Sequence, residues 1–143
     1  MSSVLVIGGD GLIGRALVPA LGGDGHRVTA TSNRTPLPEG AVKLDLANAD
    51  PAATEGFDHV VLAAAVVTRA ACEADPARAH RINADAPVTL AAPVLARGGQ
   101  VIFLSTSIVL GGDQPNLPVD APYAPFDAYS RQKAEAEQRQ PTC

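Results

Sequence analysis

The most constraining feature of this sequence is a run of glycines directly after a short apolar segment. Val4 to Ile7 is followed at once by Gly8-Gly9-Asp10-Gly11-Leu12-Ile13-Gly14, and apolar residues at helical spacing then run from Leu12 to Leu21. A strand that turns into a helix through glycines brings backbone amides close to an anion, at a helix end whose first N–H groups lack partners. Gly9, Gly11 and Gly14 fit GxGxxG, while Gly8, Gly11 and Gly14 fit GxxGxxG, so the glycines alone do not choose between two spacings. In this context the turn predicts a pyrophosphate site, with Gly8, Gly11, Leu12, Ile13 and Gly14 lining it. The alternative is an ordinary strand-to-helix turn without a ligand.

The rest of the chain repeats the alternation. Apolar, β-branched runs at Val4–Ile7, Arg27–Thr31, Val42–Leu44, His59–Ala63 and Gln100–Leu104 alternate with alanine-rich segments, which predicts an α/β domain. Its expected form is a Rossmann-type, doubly wound parallel sheet of about five strands in three αβα layers, spanning residues 1–143. Gly22-Gly23 should end the first helix, with Pro19 distorting its last turn. A second helix should start at Asp75-Pro76 and stop before Gly98-Gly99, kinked or split near Pro93. Gly111 to Pro125, with four prolines, reads as a long loop, and Asp127 should cap a last helix reaching about Gln138.

Composition narrows the partners. With 46% hydrophobic and 18% charged residues the chain falls among soluble globular domains, and the run Val60–Val67 is too short to span a bilayer, which takes about 20 residues. No leader-like N-terminus is evident, so a cytoplasmic location is expected. The net charge of −4 comes from scattered residues without a basic stripe, which argues against nucleic acid. Cys72 and Cys143 lack the spacing of a disulfide framework or a zinc site and are expected as free thiols.

Cofactor choice should be written at the end of the second strand, where an acid would accept from the ribose hydroxyls of NAD. Here stand Thr31-Ser32-Asn33-Arg34. Without a carboxylate at this position, and with a guanidinium to pair with a 2′-phosphate, NADP is favoured over NAD; a solvated loop arginine is the alternative for Arg34. The step Asp45-Leu46 is a candidate for the adenine edge, with a helix-capping role for Asp45 as the alternative. Tyr129 and Lys133 lie four residues apart on the last predicted helix and so share a face. An ammonium near a phenol favours the phenolate, which would fit Tyr129 for general acid or base work.

Taken together, GxxGxxG, "VVLAAAVVT", "INADAP", "FLSTSIVLGG" and "YSRQK" followed by "AEAE" resemble the extended short-chain dehydrogenase/reductase family over nearly the whole chain. The resemblance is strongest to its nucleotide-sugar reductases, the dTDP-4-dehydrorhamnose reductases among them. It implies that Thr106 hydrogen-bonds the reacting oxygen, that Tyr129 exchanges the proton, and that Lys133 holds the nicotinamide ribose. It also implies that Ala63, Ala64 and Ala65 admit the cofactor ribose and that Asn83 lies near the nicotinamide half. Structural hydrogen bonds are the alternative for Asn83 and Thr106. Leu62 and Leu110 depart from the family's asparagine and aromatic residue. The family continues into a C-terminal substrate lobe that is expected to be missing here, leaving an open sheet edge and a chain that is unstable alone or a homodimer. The implied activity is reduction of a nucleotide-linked keto-sugar. An epimerase or dehydratase of the same family, or a dinucleotide-binding module without turnover, are the alternatives.

Overall fold

The computed structural model describes residues 1–111 and 114–140. Five strands, β1 (Ser3–Ile7), β2 (Arg27–Ser32), β3 (Ala41–Lys43), β4 (His59–Leu62) and β5 (Gln100–Phe103), form one sheet in the order β3-β2-β1-β4-β5. Every pairing is parallel, with Val4 opposite both Val28 and His59 and Val61 opposite Ile102. The expected doubly wound α/β sheet is therefore present, each strand within a residue or so of its predicted bounds.

Side chains alternate across β1, and each set meets its own layer. Val4, Val6 and Val61 pack with Leu17, Val18 and Leu21 of helix α1 (Gly14–Gly23) on one face. Leu5, Ile7, Val60 and Leu62 pack with Leu90 and Val94 of helix α4 (Ala86–Ala96) on the other. β1 and β4 are buried on both faces, which is why they read as unbroken apolar runs. β5 lies at one edge of the sheet, where Ile102 is 57% exposed.

Helix α1 begins two residues later than its apolar spacing predicts. Leu12 and Ile13 belong to the turn and expose their side chains, Leu12 by 94%. Gly14 is the first helical residue, and a Cβ there would collide with the carbonyl of Gly8 and the Cα of Gly9. The crossover from β4 to β5 is also more divided than expected. A helix that the sequence reading missed, α2 (Arg69–Ala74), is capped by Thr68 Oγ1, which accepts from the Ala71 amide at 3.2 Å. Asp75 then caps α3 (Pro76–His80) by accepting from Arg78 N at 3.0 Å, as its position before a proline suggested.

A π turn at Arg81–Asp85 follows, where Ala86 N–H reaches back to the Arg81 carbonyl. The interruption thus sits before Pro87, not at Pro93. Pro87 cannot donate and its ring would crowd the carbonyl four residues earlier, so the ladder shifts register just ahead of it. Pro93 lies inside α4, whose buried Leu90, Ala91 and Val94 hold the helix on the sheet across the missing bond.

The last helix, α5 (Ala128–Arg139), starts with a capping box in which Asp127 and Ser130 satisfy each other's amides. It is tied to the α3–α4 region by a charge network. His80 Nε2 meets Glu135 Oε2 at 2.9 Å, and Arg139 donates to Asp85 at 2.7 Å and to Glu135 at 2.9 Å. The proline-rich segment before α5 forms no helix or strand among its described residues, in line with its reading as a loop, while Gly112 and Asp113 lie outside them. No helix among the described residues is long and apolar enough to cross a membrane.

Burial predicts where stability resides. Leu90 is fully buried between α4 and the sheet, so Leu90→Ala should lower the unfolding free energy by about 3 kcal/mol in urea titration, whereas Leu12→Ala should change it by less than about 0.5 kcal/mol.

Candidate functional site

The order β3-β2-β1-β4-β5 reverses direction between β1 and β4, and such a switch point opens a crevice at the carboxyl ends of the strands. Gly8 leaves β1 there with φ +86°, and a Cβ on it would lie 2.8 Å from the Cβ of Ala64 at the end of β4. A side chain would close the crevice. Gly11 N donates to Gly8 O at 3.0 Å and tightens the turn. The next amides, of Leu12 and Ile13, find no acceptor among the described residues, and Ile13 has no side-chain cap. Two free donors at the start of a ten-residue helix fit a pyrophosphate.

Beside this turn lies a cavity of about 340 Å³. Gly8, Asn33, Arg34, Asp45, Leu46, Ala64 and Ala65 all line it, as their sequence positions suggested. Asp45 serves twice: Oδ1 accepts from the Ala47 amide at 3.1 Å and from Asn33 Nδ2 at 3.2 Å, and the amide bond holds its carboxyl below the usual carboxylate range. Its capping role and its place at the cavity wall therefore coexist.

Gly11, Leu12, Ile13 and Gly14 stay in the turn beside the cavity without lining it, and Ala63 and Asn83 lie away from it. Ala63 donates to Ile7 O at 2.9 Å and packs on the α1 face, extending the β1–β4 ladder. Asn83 does not reach the cavity. Its amide is consumed by Val66 N at 2.8 Å, Val66 O at 2.9 Å and Gln132 Oε1 at 2.8 Å, so the buried side chain joins the loop after β4 to α5. Its effect on the site runs through the backbone of Val66, which does line the cavity. Gly14 packs against Gly8 and Gly9 within the turn itself.

The sequence reading missed Asp10 and Arg78, which also line the cavity. Asp10 corrects one premise of that reading. A carboxylate does face Arg34, supplied by the glycine turn and not by β2: Arg34 Nε stands 2.6 Å from Asp10 Oδ2. A charged residue among four glycines was the available signal.

Thr106 and Lys133 both lie at the end of β5, while Tyr129 sits one turn before Lys133 on α5. Thr106 caps a short 3-10 turn at Ser107–Leu110, its Oγ1 accepting from Ile108 N at 3.4 Å, and it lines a second cavity of about 600 Å³ with Leu110, Tyr123 and Glu137. Glu137 joins the elements around it, accepting from Tyr123 Oη at 2.9 Å and from Ser105 Oγ. Lys133 is 1% exposed. Its Nζ donates to Leu104 O at 2.6 Å and sits 3.7 Å from the centroid of the Phe103 ring. Burial pushes its pKa down to about 8, opposed by Glu137.

Tyr129 is half-buried, and its hydroxyl makes no hydrogen bond among the described residues. Burial first, then the charges of Cys72 and Asp127, pushes the phenol above its ordinary value, and Lys133 does not contribute. The expected lowering by the neighbouring ammonium is absent because that ammonium is turned toward Leu104 and Phe103. The phenol is thus kept in its neutral form.

A lysine whose pKa falls from 10.5 to about 8 on folding is charged in both states at pH 7, and the fold bears the cost of burying that charge. The cost fades as pH rises from about 8 toward 10.5. Lys133→Met should therefore raise stability at pH 7, by on the order of 1–3 kcal/mol, with the advantage shrinking across that window in melts taken at a series of pH values.

Comparison with known proteins places this geometry in context. The chain is 33% identical over 140 residues to a dTDP-4-dehydrorhamnose reductase of Mycolicibacterium smegmatis (strain ATCC 700084 / mc(2)155), an alignment covering 94% of this chain and 40% of the relative. A hypothetical dTDP-4-dehydrorhamnose reductase from Sulfolobus tokodaii superimposes with a TM-score of 0.85 at 24% identity, over 96% of this chain and 51% of that one. MoeE5, solved with UDP-glucose and NAD, gives 0.82 at 28% identity, over 96% and 47%. The chain thus spans about half or less of the length of these relatives. The family model of the NAD dependent epimerase/dehydratase family matches residues 4–140, from the first strand through the helix carrying Tyr129 and Lys133, and the chain belongs to that family.

Proposed function

We propose that this chain is the dinucleotide-binding part of an oxidoreductase that reduces a nucleotide-linked keto-sugar, with NADP taken in preference to NAD. The observation that carries the reading is the crevice at the β1–β4 switch point, with the Leu12 and Ile13 amides free in the turn beside it and Arg34 in its lining. In this reading the amides receive the pyrophosphate, Arg34 meets the adenosine ribose, and Ala64 and Ala65 leave room for the ribose on the β4 side. The bound dinucleotide supplies a hydride.

The chain's own groups supply the rest. As hydride reaches a carbonyl carbon, negative charge grows on the oxygen, and a hydroxyl donor beside a proton donor stabilises it. Thr106 is the hydroxyl donor: its Oγ1 accepts from the Ile108 amide at 3.4 Å through a lone pair, which leaves its O–H free to donate. Tyr129 gives the proton, in keeping with a phenol that burial keeps protonated. Lys133, anchored on Leu104 O by one of its three protons, has two left for the nicotinamide ribose. The relatives named as reductases and the neighbour solved with NAD and a UDP-sugar support this chemistry. An epimerase or dehydratase would use the same three residues, and substrate contacts beyond Thr106 would separate them.

Fluorescence titration with NADPH and NADH tests the binding half of the reading. Arg34→Ala should weaken NADPH about tenfold and leave NADH within about twofold. An unchanged NADPH-to-NADH ratio would remove Arg34 from the cofactor site. For the chemistry, Tyr129→Phe in the full-length protein should lower the rate of keto-sugar reduction by at least about 100-fold with dinucleotide affinity retained; a rate kept near wild type would exclude Tyr129 as the proton donor.

A further inference from the structure

The contact between Asp10 and Arg34 spans the mouth of the nucleotide cavity, from the glycine turn after β1 to the end of β2. Both ends are braced. The Asp10 carbonyl accepts from Arg15 Nε at 2.8 Å. Arg34 N donates to Ser32 Oγ at 3.0 Å, and Lys43 Nζ donates to the carbonyls of Asn33 and Arg34 at 2.7 and 3.2 Å. The Asp10 side chain is 19% exposed and that of Arg34 60%, so the carboxylate is largely enclosed while the far side of the guanidinium faces solvent.

A 2′-phosphate arriving at Arg34 meets two obstacles there. It competes with Asp10 for the Nε edge of the guanidinium, and it brings a second negative charge beside a carboxylate that burial screens poorly from it. A 2′-hydroxyl meets neither. It can donate to Asp10 while the ion pair stays intact, as an acid at the end of β2 would allow in an NAD site.

We infer that Asp10 is a specificity-determining residue of this site: by holding Arg34 and offering an acceptor to a ribose hydroxyl, it restrains the preference for NADP and keeps NAD as a usable partner. This rests on the reading that Arg34 meets the adenosine ribose. Two dinucleotides then compete for one cavity, and the state of a single ion pair separates them. With NAD the pair persists, and with NADP the phosphate replaces the carboxylate on Arg34.

Asp10→Asn keeps the size of the side chain and the backbone contact to Arg15 while removing the charge. Titrated with NADPH and NADH, it should bind NADPH about 3- to 10-fold more tightly and NADH about 2- to 5-fold more weakly than wild type. The gain for NADPH should vanish in Asp10→Asn/Arg34→Ala, because it acts through Arg34. If Arg34→Ala shifts the NADPH-to-NADH ratio but Asp10→Asn leaves both affinities unchanged, the role of Asp10 is overturned and the Arg34 reading stands. Equal weakening of both dinucleotides would also overturn it, since Asp10 would then serve only the shape of the turn. If neither variant moves the ratio, both readings fall together. Should Asp10→Asn reduce the folded fraction in a thermal melt, Asp10→Ser carries the same expectations in the same titrations.

Discussion

The approach of helix α1 to the first strand is the constraint on which the rest of this structure depends. Gly14 rests on the carbonyl of Gly8 and the Cα of Gly9 so closely that no Cβ fits, and a Cβ on Gly8 would in turn crowd Ala64 on the β4 side. These two contacts fix where the helix starts. They leave the Leu12 and Ile13 amides outside the helical ladder, in the turn that follows β1 where the strand order reverses. The same β1 residues that make the site possible belong to the core, with Leu5, Val6 and Ile7 all nearly inaccessible. Core and site are thus two ends of one element.

The second pole is α5. Its lysine is buried without a carboxylate hydrogen-bonded to it, satisfied by one carbonyl and one aromatic face, an arrangement that costs stability. The helix is held in place by contacts around it: Asn83 to Gln132, His80 and Asp85 to Glu135 and Arg139, and Ser105 and Tyr123 to Glu137. The π turn between α3 and α4 carries Asn83 and Asp85 on one short segment, so the irregularity forced by Pro87 also supplies two of the anchors for α5.

Much of this was legible because it is local. Apolar, β-branched runs alternating with alanine-rich segments located all five strands, and a carboxylate before proline or before a helix-forming run located the starts of α3 and α5. Arg34, Asp45, Ala64 and Ala65 could be placed at the cavity because strand ends in a parallel sheet share one side. What escaped was decided across distance in sequence. Helix α2 is only six residues and is capped by a threonine whose i,i+3 bond leaves little trace in composition. Asp10 and Arg34 are 24 positions apart, and their meeting depends on the β1–β2 register. The direction of the Tyr129 shift followed the burial of the phenol and the turning of Lys133 toward β5, which spacing on a helix cannot disclose.

The account turns on the free amides at the start of α1 as the seat of a dinucleotide's pyrophosphate, and an amide-resolved NMR titration of the chain with NADPH reads them directly. The largest shifts should fall on Gly8, Gly11, Leu12 and Ile13, with smaller ones at Asn33, Arg34 and Ala65 along the cavity wall. Shifts confined to the opposite end of the sheet, around Gly56 to His59 and Gly98, with the glycine turn unmoved, would contradict it.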